Sequence, residues 1–145
     1  MLKLHKIGMP ILDDFEKWYI VRKLDDDIKN DTFRHVPEIS PSQSLFMKYR
    51  ELAHSHQWNK QTFTSIYLPC FLTEMKQATS LSILQELVDR SHLDNIALCC
   101  YCDDESICHR SIVGGILKGM GADIECPQEY LRYYEMFHEL HLSTC

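Results

Sequence analysis

Residues 95–126 constrain the fold of this chain more than any other stretch. Asn95-Ile-Ala-Leu-Cys-Cys-Tyr-Cys102 is a nearly unbroken apolar run, the pattern of a central strand covered on both faces by helices. An acidic turn, Asp103-Asp-Glu105, follows, and the spacing predicts a helix over residues 105–118 that carries Cys108, His109, Arg110 and Ser111 in its opening part. Gly119-Met-Gly121 supplies a glycine stop, and residues 122–126 read as a second short strand closed by Pro127. Strand, helix and strand make one βαβ unit, with parallel strands and a right-handed crossover.

This topology has a chemical consequence. Parallel strands bring their C-terminal ends to one edge of a sheet, and the helix between them starts at that edge. Cys100, Cys102, Cys108, His109 and Cys126 are therefore expected in one neighbourhood, where open α/β sheets bind their ligands.

The rest of the chain fits the same class. Residues 17–24 are rich in β-formers and read as a first strand, followed by a polar turn over residues 25–31. Ser40 or Ser42, with Pro41, opens a helix carrying Leu45, Phe46, Tyr49 and Leu52 on one face. Residues 60–75 look helical, with Pro69 bound to kink or break them. Thr79 or Ser80 is expected to cap a further helix over Leu81, Leu84, Leu87 and Val88, and residues 128–142 form a last helix whose aromatics pack in the core. The expected architecture is one compact α/β domain over residues 1–145: a small, mostly parallel sheet flanked by helices, with a flavodoxin- or Rossmann-like βαβ core.

Charge narrows the partners. A formal net charge of −6 argues against a broad nucleic-acid-binding surface, whose affinity comes from neutralising phosphates, but leaves room for a local basic pocket. No stretch has the length and apolarity of a signal peptide or membrane span, so no membrane association and a cytoplasmic, reducing location are expected. The seven cysteines, odd in number and clustered, do not suggest a secreted disulfide framework.

The first turn of a helix presents unpaired amides and partial positive charge. Cys108 there is favoured as a thiolate, and a phosphate or carboxylate would be favoured too, with Arg110 supplying a bidentate fork. Several familiar loops do not fit. A tyrosine-phosphatase loop needs Cys-x5-Arg, whereas seven residues separate Cys102 from Arg110 and one separates Cys108 from it. Gly-x-Gly-x-x-Gly and the Walker sequence are absent. Zinc could take thiolates from Cys100, Cys102, Cys108 and Cys126, with His109 as a substitute, but no second Cys-x2-Cys pair supports it, and no residue is assigned as a metal ligand.

Leu98-Cys-Cys-Tyr-Cys102 followed by Cys108-His109-Arg110 resembles the domain of unknown function 488 family, whose members end a hydrophobic strand in Leu-Cys-Tyr-Glu or similar and open a helix with Cys-His-Arg. Cys100, Tyr101, Cys108, His109 and Arg110 match residue by residue. Val36-Pro-Glu-Ile-Ser-Pro-Ser42, Tyr49-Arg50 and Val21-Arg22 match more weakly. Cys102 stands where the family often has an acidic residue, and the proline common near the end of the first strand is missing after Arg22. The resemblance implies a compact α/β fold and brings no settled activity or cofactor.

Three functions follow as expectations. The first is binding of a small anionic ligand, nucleotide-like or a nucleic-acid end, by Arg110, Arg22, Tyr101 and Ser111, with cysteine-assisted chemistry from Cys108, His109 and Cys100. The second is a thiol enzyme in which Cys108 is the nucleophile or redox partner and Cys100 the resolving thiol. The third is a structural or zinc-bound cysteine cluster without catalysis.

Overall fold

The computed structural model describes residues 1–10, 14–26 and 32–140. Five parallel strands form its sheet: β1 (Leu2–Lys6), β2 (Glu16–Tyr19), β3 (Arg34–His35), β4 (Ile96–Cys100) and β5 (Ile124–Glu125), in the order β3-β2-β4-β1-β5. Every residue of β4 is buried, as its unbroken apolar sequence requires. It pairs on one side with β1, Leu2 opposite Ile96 through Lys6 opposite Cys100, and on the other with β2, Glu16 opposite Ile96 through Tyr19 opposite Cys99.

Two expectations change here. The N-terminal residues form a strand that the sequence analysis does not place, and β1 lies between β4 and β5, so the crossover skips one position. The first expected strand, residues 17–24, is strand only through Tyr19. The chain then turns, and the residues after it become part of a site wall.

The helices follow from local chemistry. The Ser42 hydroxyl accepts from the Leu45 amide and caps α1 (Gln43–His54). Residues 60–75 run as α2 (Lys60–Thr62), a π-helical turn (Phe63–Tyr67) and α3 (Leu68–Glu74). Pro69 has no amide for the ordinary ladder, and in the wider turn before it the Leu68 amide reaches back to the Phe63 carbonyl. The next helix, α4 (Ala78–Ser91), starts after Gln77 rather than at Thr79 or Ser80. Ser80 instead donates to the Glu38 carbonyl at 2.6 Å, tying the helix to the 3-10 turn Pro37–Ile39.

The helix expected from residue 105 begins later. Asp104 accepts from the Ser106 amide and closes a 3-10 turn, Glu105–Ile107, so α5 (His109–Gly119) starts with Cys108 as its N-cap. Gly121, at φ +100°, takes the left-handed position that ends it. The chain finishes, within the described residues, in a 3-10 turn Gln128–Tyr130 and α6 (Leu131–Glu139). The polar turn beyond Asp26 and the end of the expected last helix beyond Leu140 lie outside the described residues.

α5 is the core helix, with every residue from His109 to Leu117 buried. A Cβ on Gly115 would meet the Tyr130 carbonyl oxygen at 1.9 Å, and one on Gly119 the Tyr134 ring at the same distance. These glycines let α6 and the turn before it lie directly on α5. Among the described residues no helix is long and apolar enough to cross a membrane.

Candidate functional site

The strand order creates the site. From the neighbouring strands β2 and β4 the chain leaves in opposite directions, toward β3 and toward β5. The C-terminal ends of β2 and β4 therefore open a crevice, the usual ligand position in an open α/β sheet.

A cavity of about 520 Å³ occupies that crevice. Val21, Arg22 and Lys23 line it from the segment after β2, and Cys100, Tyr101, Cys102, Cys108 and His109 from the end of β4 and the start of α5. Phe46, Tyr49 and Arg50 of α1, with Trp58 and Tyr67, close the remaining side. Trp58 meets Tyr49 edge-on at 4.7 Å and Tyr67 at 5.3 Å between ring centroids, so the wall is an interlocked aromatic surface.

On the cysteine side, one histidine is held in a defined tautomer. The His109 Nε2 lies 2.5 Å from the Ile20 carbonyl. A carbonyl can only accept, so Nε2 carries the hydrogen and Nδ1 is left to face the Cys108 sulfur at 3.7 Å. That sulfur is also 3.0 Å from the Cys100 sulfur. Burial pushes the Cys108 thiol up, but bonds from the Cys100 and Cys102 thiols and the adjacent His109 ring outweigh it and hold Cys108 well below the ordinary thiol range. Burial together with donation to its neighbours raises Cys100 instead. For Cys102 a bond from Cys100 works downward, yet donation to Cys108 and burial prevail, and it is pushed up to about 12. Of the three thiols, Cys108 is the one shifted toward the charged form.

Arg110 is placed differently from the other candidates. It is 3% exposed and is not among the residues lining the cavity. One terminal nitrogen donates to the Cys102 carbonyl at 2.6 Å, while its buried Nε has no hydrogen-bond partner. The acidic turn does not neutralise it through direct contact. Asp103 pairs with Lys6, Asp104 caps the 3-10 turn, and Glu105 accepts from the Tyr130 hydroxyl at 2.9 Å. The Cys108 sulfur acts on it ahead of Glu105.

Ser111 is fully buried and donates to the Cys108 carbonyl at 2.8 Å, fixing the first turn of α5. Arg22 reaches the cavity but also donates to the Pro41 and Pro37 carbonyls, at 2.8 and 3.1 Å. The Tyr101 hydroxyl accepts from the Asp25 amide at 2.9 Å and joins the two loops that form the crevice.

Convergence of the cysteines is partial. The sulfurs of Cys100, Cys102 and Cys108 lie within 4.8 Å of one another and are the group, among the described residues, spaced to hold a metal ion. Cys126 is outside that group, its sulfur directed at the Gly114 carbonyl at 3.8 Å, because β1 separates β5 from β4. The aromatic wall is what the sequence analysis misses: Phe46 and Tyr49 have the spacing of an ordinary buried helix face, and no local signal marks Trp58 or Tyr67 as cavity residues.

Fold and site together define a parallel α/β protein with a cysteine–histidine pair at the C-terminal edge of its sheet. The chain belongs to the domain of unknown function 488 family: the model described as "Active DUF488-N3 subclade" matches residues 8–121, which span the crevice and all three clustered cysteines. No curated protein and no solved structure matches the chain.

Proposed function

We propose that this protein is an enzyme that uses Cys108 as a nucleophile and His109 as its proton-handling partner. Its ligand is a small molecule bearing both an aromatic ring and an anionic group, nucleotide-like in character. The observation carrying this reading is the pairing of Cys108 Sγ with His109 Nδ1 at 3.7 Å, with the far ring nitrogen committed to Ile20, on the wall of a cavity of about 520 Å³. A nucleophilic cysteine beside a base whose other nitrogen is anchored is the general arrangement of covalent thiol catalysis. The description "Active" carried by the matching subclade agrees with a catalytic reading.

The ligand class follows from the walls. Phe46, Tyr49, Trp58 and Tyr67 offer an aromatic surface to a planar ring, and Arg22, Lys23 and Arg50 offer positive charge. In this reading Arg22 and Tyr101 contact the ligand, while Arg110 and Ser111 hold the wall from behind. Cys100 keeps its proton and donates toward Cys108, supporting the charged sulfur.

The test is site-resolved alkylation near neutral pH, with and without adenosine monophosphate or inorganic phosphate. Cys108 should alkylate faster than a free thiol, the nucleotide should protect it, and phosphate alone should move the amide resonances of residues 106–110. A Cys108 no faster than a free thiol removes the nucleophile. Rapid alkylation without protection or resonance shifts removes the ligand class.

A second reading rests on the three sulfurs within 4.8 Å of one another, which would suit a soft metal ion without catalysis. Stoichiometric metal in the purified protein, with alkylation restored only by a chelator, would replace the nucleophile reading with this one.

A further inference from the structure

Cys100 and Cys108 are set up for a reaction that the proposed chemistry does not need. Cys100 is the last residue of β4 and Cys108 the N-cap of α5, so both sulfurs stand on regular elements. The turn between them is itself held: Arg110 grips the Cys102 carbonyl and Asp104 closes the 3-10 turn. The sulfurs meet at 3.0 Å, so a bond of about 2.05 Å asks them to close by roughly 1 Å. Both residues line the cavity, so a small oxidant entering it comes up against them.

We propose that Cys108 is an oxidation site for small hydroperoxides and that Cys100 resolves the product as a reversible disulfide. This rests on the thiolate reading of Cys108 above and adds a means of regulating that site. In the first step the Cys108 thiolate attacks a peroxide oxygen, the O–O bond breaks, and the departing alkoxide or hydroxide takes a proton. Cys108 becomes a sulfenic acid. In the second step the Cys100 sulfur attacks the Cys108 sulfur, the S–O bond breaks, and the hydroxide leaves as water with the proton Cys100 gives up. The two thiols lose two electrons to the peroxide, and a cellular dithiol restores them by exchange through a mixed disulfide.

The disulfide removes the nucleophile and at the same time protects it. A sulfenic acid without a resolving thiol advances to the sulfinic acid, which ordinary thiols do not reduce. Cys102, within 4.8 Å of both sulfurs, is the competing partner. Cys102 also bonds to Cys108, and the 3.0 Å approach of the Cys100 sulfur from the end of β4 favours the Cys100–Cys108 pair.

Wild-type protein treated with equimolar hydrogen peroxide should yield a Cys100–Cys108 linked peptide on proteolysis, and dithiothreitol should return Cys108 alkylation to its starting rate. In Cys100→Ser, or Cys100→Ala should the serine variant fail to fold, Cys108 should still alkylate. Peroxide should there leave at least about ten-fold more dimedone-trapped sulfenic acid than in wild type, with no recovery after prolonged exposure. Cys102→Ser should still form the disulfide. A wild-type Cys108 that alkylates rapidly but runs on to sulfinic acid, or crosslinks to Cys102, overturns this inference and leaves the nucleophile reading standing. A wild-type Cys108 that does not alkylate removes the nucleophile reading, and the inference with it.

Discussion

His109 and Ile20 are joined by a hydrogen bond of 2.5 Å across 89 positions of sequence, from the helix start at one end of the site to the backbone just beyond β2. The bond fixes which ring nitrogen is free to face Cys108, and it satisfies a buried carbonyl. Both effects are measurable in His109→Ala. Loss of the donor should destabilise the fold by about 1–3 kcal/mol, the cost of a buried acceptor left unpaired. Cys108 alkylation at neutral pH should slow by about ten-fold as the thiolate loses its neighbour. Chemical denaturation and site-resolved alkylation read the two separately. An unchanged alkylation rate in a folded variant would detach His109 from the chemistry.

Ionisation of Cys108 should also mark the pH dependence of stability. Its thiol sits well below the ordinary range in the folded protein and near about 8.5 when unfolded. Between those values the unfolded chain binds the extra proton, so this contribution rises with pH. It is complete above about pH 9 and lost as pH falls toward the folded value. Subtracting the denaturation free energy of Cys108→Ser from that of wild type should give a difference that grows from neutral pH to about pH 9 and then levels. A difference that is flat or falls over that window would mean that Cys108 is an ordinary buried thiol.

Much of this site was legible in the sequence because its parts are consecutive. The apolar run of β4, the acidic turn and Cys108-His109-Arg110 dictate a strand end facing a helix start, and Cys100 and Cys108 meet there. Features set by distant segments were not legible. β1 is only Leu-Lys-Leu-His-Lys, too short for its alternation to stand out, yet its insertion beside β4 carries Cys126 away from the other sulfurs. The role of Arg110 was hidden for another reason. The residue type says cation, but only packing shows that it lies behind the wall and grips the Cys102 carbonyl. Ser80 likewise reads as a cap and acts as a tie to Glu38.

The two adjacent glycines of α5 should tolerate substitution very differently. An added Cβ at Gly114 would come within 2.9 Å of Leu4 Cδ1, the end of a side chain that can turn aside. At Gly115 it would come within 1.9 Å of the Tyr130 backbone oxygen, which cannot move without displacing α6. Gly115→Ala should therefore cost at least about 3 kcal/mol, at or above the upper end of ordinary overpacking, and Gly114→Ala clearly less. Paired thermal melts decide it. Equal losses would mean that α6 is free to slide on α5.

Arg110 and Cys108 should prove energetically coupled. The guanidinium is buried, makes no ion pair with a carboxylate among the described residues, and leaves its Nε without a partner. A buried cation in that position needs an opposing charge, and the Cys108 sulfur acts on it ahead of Glu105. If Cys108 is that counter-ion, Arg110→Met strands a buried negative charge and removes the donor to Cys102, a loss of about 3–5 kcal/mol for breaking a buried pair. In a Cys108→Ser background there is no charge to strand, so the same substitution should cost less. A double-mutant cycle in the reduced protein should then return a coupling of at least about 1 kcal/mol. A coupling near zero would mean that Arg110 serves only the Cys102 carbonyl, and the charge on Cys108 would have to be held by the two neighbouring thiols and His109 alone.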